Sequence, residues 1–225
     1  MAFRLYYRLS ILVSNLAAHL GLLGMFQRLQ RMPAQWYDRV FAGHPDQWSQ
    51  AAPERDRLFM GLFHRPDGRL LEIGCGAGRF LAQAEAGRWD TFGCDFSGEA
   101  LQFARRRLTK ARLVLCDGQA LPFADGCFDI VMSIGSHEHF TDPRQGCREV
   151  GRTVRPDGKF YILVPTIRSH WEGWGPEATR THGSRQWQWN LRESTWLRLL
   201  AESGLRVEQV SHDWKAIFIG TGQAS

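Results

Sequence analysis

Residues 70–80, Leu70-Leu71-Glu72-Ile73-Gly74-Cys75-Gly76-Ala77-Gly78-Arg79-Phe80, constrain this 225-residue chain more than any other stretch. A short apolar run closed by glycines and followed by a helical pattern reads as a buried parallel strand feeding a crossover helix. Gly74, Gly76 and Gly78 permit positive φ and lack the Cβ atoms that would hold a ligand away from the backbone. The helix opening near Arg79 directs its unsatisfied N–H groups at the same space. The third glycine follows the second by two residues, whereas the dinucleotide pattern G-x-G-x-x-G needs three, so the spacing is wrong for a pyrophosphate. Glu72, at the strand end, would repel phosphates and attract a cation. The bend therefore asks for a positively charged, phosphate-free nucleoside.

The following residues repeat the strand–helix alternation. Thr91-Phe92-Gly93-Cys94-Asp95 reads as the second strand, and its terminal carboxylate lies 19 positions after Gly76. That offset places Asp95 in the crevice of a doubly wound sheet, where it can accept both ribose hydroxyls. Phe96 can stack on the adenine ring, and Ser97 caps a helix over 98–108. Arg112 to Cys116 forms the third strand and ends at Asp117-Gly118. Phe128 to Ser133 forms the fourth, running into Ile134-Gly135-Ser136-His137-Glu138-His139-Phe140. Asp142-Pro143 opens a helix to about Thr153, Pro156-Asp157-Gly158 turns the chain, and Lys159 to Val164 is strand five. A helix from Ser194 to Gly204 and strands over 205–210 and 216–219 complete the pattern.

With Glu72-x-Gly74-x-Gly76-x-Gly78, the stretch Asp117 to Phe123, the Phe128-Asp129 opening, Glu138-His139 and Val154-Arg155-Pro156-Asp157-Gly158, the chain resembles the class I S-adenosylmethionine-dependent methyltransferases. The likeness is to their small-molecule "type 11" or UbiE-like group and covers residues 53 to 220. His137 departs from the family's L-E-H and Asp157 from its glycine. The resemblance implies an α/β fold: a Rossmann-like, doubly wound, seven-stranded sheet, mostly parallel with one antiparallel strand and helices on both faces. It implies S-adenosylmethionine as cofactor, held by Tyr37, Glu72, Gly74, Cys75, Gly76, Gly78, Asp95, Phe96, Asp117, Gly118, Ser133 and Ile134. Asp117 would meet the adenine amino group, and the Tyr37-Asp38 pair resembles one that closes over the methionine end. Asp129 is expected to cap structure.

A chain of this length buries one α/β core, preceded by a helical extension or lid over 1–52. The core would occupy 53–225, with a substrate-covering insertion at 166–193. Five cysteines without a C-x-x-C pair exclude a disulfide framework and a cysteine zinc site and fit a reducing cytosol. Cys75, Cys94 and Cys116 invite a thiol-chemistry reading, against which stands cysteine as a small apolar filler. The formal charge of +5 comes mostly from scattered arginines. Arg105-Arg106-Arg107 reads as a solvated helix face, and no nucleic-acid partner is expected. The apolar stretch from Leu5 to Leu29 stays open between a lid helix, a peripheral membrane helix and a processed targeting segment. The location is read as cytoplasmic, with membrane association left open, and the oligomeric state is not legible.

The acceptor side is read from His and Trp residues. His139 is the first candidate for a general base or orienting group, with His137, His170 and His182 behind it. His-Glu-His alternates direction and is not expected to bind a metal. Trp171, Trp174, His182 and Trp187, with Trp189 nearby, suggest an aromatic-lined pocket for a small hydrophobic acceptor or a lipid-facing lip. The bland alternative is that they pack the insertion against the body. Rival readings are a non-catalytic cofactor-binding protein and a methyltransferase acting on RNA or protein. An oxidoreductase fails on glycine spacing and on the acid before the bend.

Overall fold

A computed structural model describes residues 38–39, 42–43, 61, 67–166, 189, 191–212 and 216–222. The strands are β1 (Gly68–Ile73), β2 (Trp89–Asp95), β3 (Arg112–Leu115), β4 (Phe128–Ile134), β5 (Val154–Val164), β6 (Leu205–His212) and β7 (Ala216–Gly222). Between them lie α1 (Arg79–Glu85), α2 (Gly98–Arg107), α3 (Pro143–Thr153) and α4 (Glu193–Ala201), with a 3-10 turn at His137–His139. The sheet order is β3-β2-β1-β4-β5-β7-β6. Strands β1 to β5 pair in parallel, and β7 runs antiparallel to both β5 and β6. This is the doubly wound seven-stranded architecture with one reversed strand.

Strand alternation sorts the apolar side chains onto the two faces. Leu71 and Ile73 of β1, Phe160 and Ile162 of β5 and Phe218 of β7 join Cys147 and Val150 of α3 and Trp196, Leu199 and Leu200 of α4. Leu70, Met132, Leu163 and Ile217 face the other way, against Phe80, Leu81 and Ala84 of α1 and Leu101 and Ala104 of α2. Strand β5 starts earlier than the sequence suggests. Val154 pairs with Phe128, and the register then jumps to Lys159 opposite Ile130, so Pro156-Asp157-Gly158 bulges within the strand. Asp129 closes this end, accepting Arg69 N–H at 2.7 Å and pairing with Arg155.

Helix starts follow their capping residues. Ser97 accepts Ala100 N–H at 3.1 Å at the start of α2. Asp142 accepts the amides of Arg144 and Gln145 ahead of α3, whose first residue is Pro143. Glu85 caps the approach to β3 from a distance, its carboxylate accepting the amides of Thr109, Lys110 and Ala111. Those bonds outweigh its partial burial and hold its pKa below the ordinary carboxylate value.

Candidate active site

The site is built where β1, β2 and β4 end on the same side of the sheet, at the switch point between β1 and β4. Gly74 and Cys75 donate their amides to the carbonyl of Cys94, at 2.8 and 2.9 Å, turning the chain across the end of β2. Gly74, Gly76 and Gly78 have φ of +68°, +51° and +74°. At Gly74 an added Cβ would lie 2.1 Å from Ser136 Oγ, so the bend and the loop after β4 can only meet at a glycine.

Two acids converge behind this bend. Asp95 Oδ2 accepts Gly76 N–H at 2.9 Å, and Oδ1 accepts Ser97 N–H at 2.9 Å. Each oxygen keeps a second lone pair. Glu72 is buried, and its Oε2 has no hydrogen-bond partner. Burial, with the charge of Asp95 added to it, holds the Glu72 carboxyl well above the usual carboxylate range. Burial also raises Asp95, against the opposing pull of the Ser97 and Gly76 amides. A buried acid pair of this kind favours a cationic, hydroxyl-bearing partner.

The other expected cofactor residues sit around these acids. Phe96 is 38% exposed on the lip beyond Asp95. Asp117 is exposed, its Oδ1 accepting the backbone and side-chain N–H groups of Gln119. Gly118 is buried, and a Cβ there would come within 2.7 Å of both Ile73 and Phe140. Ile134 is half-buried against the α1/α2 core. Ser133 is fully buried, with its hydroxyl 2.6 Å from His137 Nδ1. That hydroxyl faces the histidine, so any contact of Ser133 with a ligand falls to its backbone. Cys75 is buried, and its thiol is pushed well above the ordinary range by burial, which disfavours a reactive thiolate there.

His137 requires a correction. It is fully buried, its ring tilted against that of Phe140 with centroids 4.6 Å apart and packed against Gly146 of α3. Burial lowers its pKa to about 4, so the ring is neutral at physiological pH and part of the packing under the turn. It is not placed to take a proton from an acceptor. His139 lies in the same 3-10 turn but is only half-buried. Alternation along an extended strand therefore does not describe the His-Glu-His stretch. Among the described residues no group of three His, Cys, Asp or Glu side chains has metal-binding geometry.

Trp189 is corrected as well. It is 1% exposed and belongs to the α3/α4 core, so it is no pocket wall. Tyr37, His170, Trp171, Trp174, His182 and Trp187 lie outside the described residues, as does the apolar stretch from Leu5 to Leu29. No helix among the described residues is long and apolar enough to cross a membrane.

Sequence reading passed over Arg152 and Glu149, and it named Asp38 only beside Tyr37. Asp38 Oδ1 accepts Ser97 Oγ–H at 2.6 Å and Glu99 N–H at 3.3 Å, adding an acid from the N-terminal segment to the start of α2. Arg152 and Glu149 of α3 hold the loop that follows Gly118. Arg152 donates to the carbonyls of Leu121 and Phe123, to Asp125 and twice to Glu149, while Glu149 accepts Leu121 N–H at 2.7 Å. The separation of 27 to 31 residues leaves no local trace of this fork in the sequence.

A sheet with this order, a three-glycine bend and acids ending β1 and β2 is the arrangement of the class I S-adenosylmethionine-dependent methyltransferases, and the domain spanning residues 71–162 is of that class. Residues 71–162 match the family model described as a methyltransferase domain. Among curated relatives, the human protein named "Probable tRNA methyltransferase 9B" is 32% identical over 153 residues, 67% of this chain and 30% of that protein. The 27-O-demethylrifamycin SV methyltransferase of Amycolatopsis mediterranei is 31% identical over 147 residues, 58% of this chain and 54% of that one. This chain thus matches less than two thirds of either relative's length. Among solved structures, a Haloferax volcanii methyltransferase complexed with the Trm112 methyltransferase activator superposes with a TM-score of 0.66 at 16% identity. That match covers 85% of this chain and 96% of the other and speaks for the fold.

The cofactor is S-adenosylmethionine, and the residues present fit it. Glu72 offers an orphaned buried carboxylate oxygen, Asp95 has spare lone pairs, and no basic residue stands in 72–78 to select a phosphate. These relatives also correct the expectation that nucleic acid is no partner: one is named for tRNA, and a structural neighbour stands in complex with a protein activator. Scatter along a sequence does not measure clustering on a surface. Arg105, Arg106 and Lys110 all lie exposed at the end of α2 and in the loop to β3.

Proposed function

We propose that the protein transfers the methyl group of S-adenosylmethionine to a nucleophile presented beside His139, and that the nucleophile is carried by a tRNA. The reading rests on the convergence of Glu72 and Asp95 behind the glycine bend, which suits a cationic nucleoside. Bound there, S-adenosylmethionine supplies an already electrophilic sulfonium methyl. The chain's own residues have to orient donor and acceptor in line, which can contribute up to several kcal/mol. Asp95, locked by two amides, is assigned to the ribose hydroxyls, Phe96 to the adenine face and Glu72 to a positive group of the ligand. His139 is assigned to orient the acceptor or take its proton, a role worth roughly 10² to 10⁴ in rate. The relative named for tRNA and the exposed basic residues of α2 support the acceptor class.

A second reading, a hydrophobic small molecule as acceptor, is supported by the rifamycin-type relative and by the tryptophan-rich sequence of 166–193. Incubation with radiolabelled S-adenosylmethionine and either total tRNA or an organic extract of cells separates the two. Label in the tRNA fraction supports the first reading, and label only in the organic fraction replaces it with the second. His139→Ala is expected to reduce transfer at least tenfold with cofactor affinity nearly intact. Unchanged transfer would remove His139 from the mechanism.

A further inference from the structure

Trp189, buried in the core, needs partners for both its backbone and its indole N–H, and it finds both on one short turn. Its backbone N–H donates to the carbonyl of Glu138 at 2.7 Å, and its indole Nε1–H donates to the carbonyl of Phe140, also at 2.7 Å. The two acceptors flank His139, so one residue grips the 3-10 turn on either side of the candidate base. Both carbonyls close to the end of a short 3-10 turn would otherwise be candidates for unsatisfied backbone groups.

The gripped turn touches the cofactor crevice at two points. On one side Ser136, the residue before the turn, donates its hydroxyl to the Gly74 carbonyl at 3.4 Å. On the other the Phe140 ring presses on Gly118, where a Cβ would lie 2.7 Å from its Cζ, and packs against the tilted ring of His137. His137 in turn binds Ser133 at the end of β4. The indole N–H thus fixes the carbonyl of the very residue whose ring forms the floor beneath Gly118.

Resting on the methyltransferase reading, we infer that Trp189 is a positioning residue: by holding the Glu138 and Phe140 carbonyls it sets the orientation of His139 and the wall of the crevice at Gly118. A buried indole is suited to this because it loses little conformational freedom while supplying a directional donor at the end of a rigid plane. Trp189→Phe keeps an aromatic ring and the backbone N–H but deletes the Nε1 donor together with part of the indole's volume; Trp196→Phe loses the same volume at an Nε1 that has no hydrogen-bond partner among the described residues and so isolates the effect of the donor.

The test uses S-adenosylhomocysteine as probe, so no acceptor needs to be known. Calorimetric titration of the full chain is expected to show five- to twentyfold weaker binding in Trp189→Phe than in the native protein. A Trp196→Phe variant, altered in the same core on α4, is expected to bind as the native protein does. Equal affinity of Trp189→Phe and native protein overturns the inference. Equal weakening in Trp196→Phe also overturns it, because the effect would then be general core loosening. Absence of binding in the native protein instead refutes the methyltransferase reading on which the inference rests.

A second measurement avoids any substitution in the protein tested. With 5-fluorotryptophan incorporated throughout, the ¹⁹F resonance of Trp189, assigned by elimination from single Trp→Phe variants of the other eight tryptophans, is expected to shift on saturation with S-adenosylhomocysteine. A resonance unmoved at saturation overturns the coupling even if Trp189→Phe fails to fold.

Discussion

Arg152→Ala tests whether the loop after Gly118 owes its shape to α3. The guanidinium makes two bonds to Glu149, at 2.9 and 2.8 Å, one each to the carbonyls of Phe123 and Leu121 at 2.7 and 3.0 Å, and one to Asp125 at 2.7 Å. The Asp125 side chain is 80% exposed, so that bond contributes about 0–1 kcal/mol. The Glu149 side chain is only 10% exposed, and removing its partner leaves a carboxylate held by the Leu121 amide alone. Breaking a fully buried pair costs about 3–5 kcal/mol. With Arg152 itself 30% exposed, water can replace part of what is lost, which brings the expectation to about 2–3 kcal/mol. For a domain of this size that lowers Tm by roughly 4–12 °C. Arg152→Lys should recover little, because a single ammonium cannot span this set of acceptors.

The same pair makes a pH prediction that a generic core defect would not. Burial alone would raise Glu149, but the bonds from Arg152 and the Leu121 amide prevail and hold its pKa below the ordinary 4.5. A depressed carboxylate stabilises the fold above its unfolded pKa and stops doing so as pH falls through the folded value. The Tm gap between native protein and Arg152→Ala should therefore be widest near pH 7 and shrink below about pH 4.5. Differential scanning calorimetry across that range measures it. A gap under 2 °C at pH 7, or one that does not change with pH, would refute the reasoning.

Asp95→Ala removes the acceptor of both the Gly76 and the Ser97 amides and should weaken S-adenosylhomocysteine binding at least tenfold by calorimetry; native affinity would detach Asp95 from the ligand. His137, ordinarily near 6.5 and held at about 4 by burial, stabilises the neutral form. Stability attributable to it is full above pH 6.5 and declines toward pH 4, by about 3 kcal/mol over that span, so His137→Phe should flatten this limb of the Tm profile. Gly74→Ala forces a Cβ toward Ser136 Oγ at φ +68° and should cost about 1–3 kcal/mol, with partial rescue by Ser136→Gly; equal Tm values would contradict the close approach at the bend.

The sequence carried the framework because its signals are local. The short apolar runs, the glycines at 74, 76 and 78 and the 19-residue step from Gly76 to Asp95 each reflect one strand–helix–strand unit, whose geometry repeats whatever lies around it. Caps such as Ser97 and Asp142 were equally legible, since their bonds reach only two or three residues onward. The His-Glu-His stretch was not. Its three residues differ in burial because a 3-10 turn, not a strand, carries them, and α3 then covers His137 but leaves His139 half-exposed.

Composition alone marks Trp189 as one more tryptophan in a tryptophan-rich stretch. Only the folded chain, by bringing it 49 residues back onto the turn at Phe140, makes it core and clamp. Asp38 reaches Ser97 across 59 residues, and Arg152 reaches the loop around Leu121 across 31. Backbone geometry and periodic burial are written residue by residue along the chain, so sequence by itself determined the sheet, the bend and the nature of the ligand it suits. Which distant side chains hold that bend, and which histidine faces outward, depends on how separate elements pack, and that the tertiary structure alone decided.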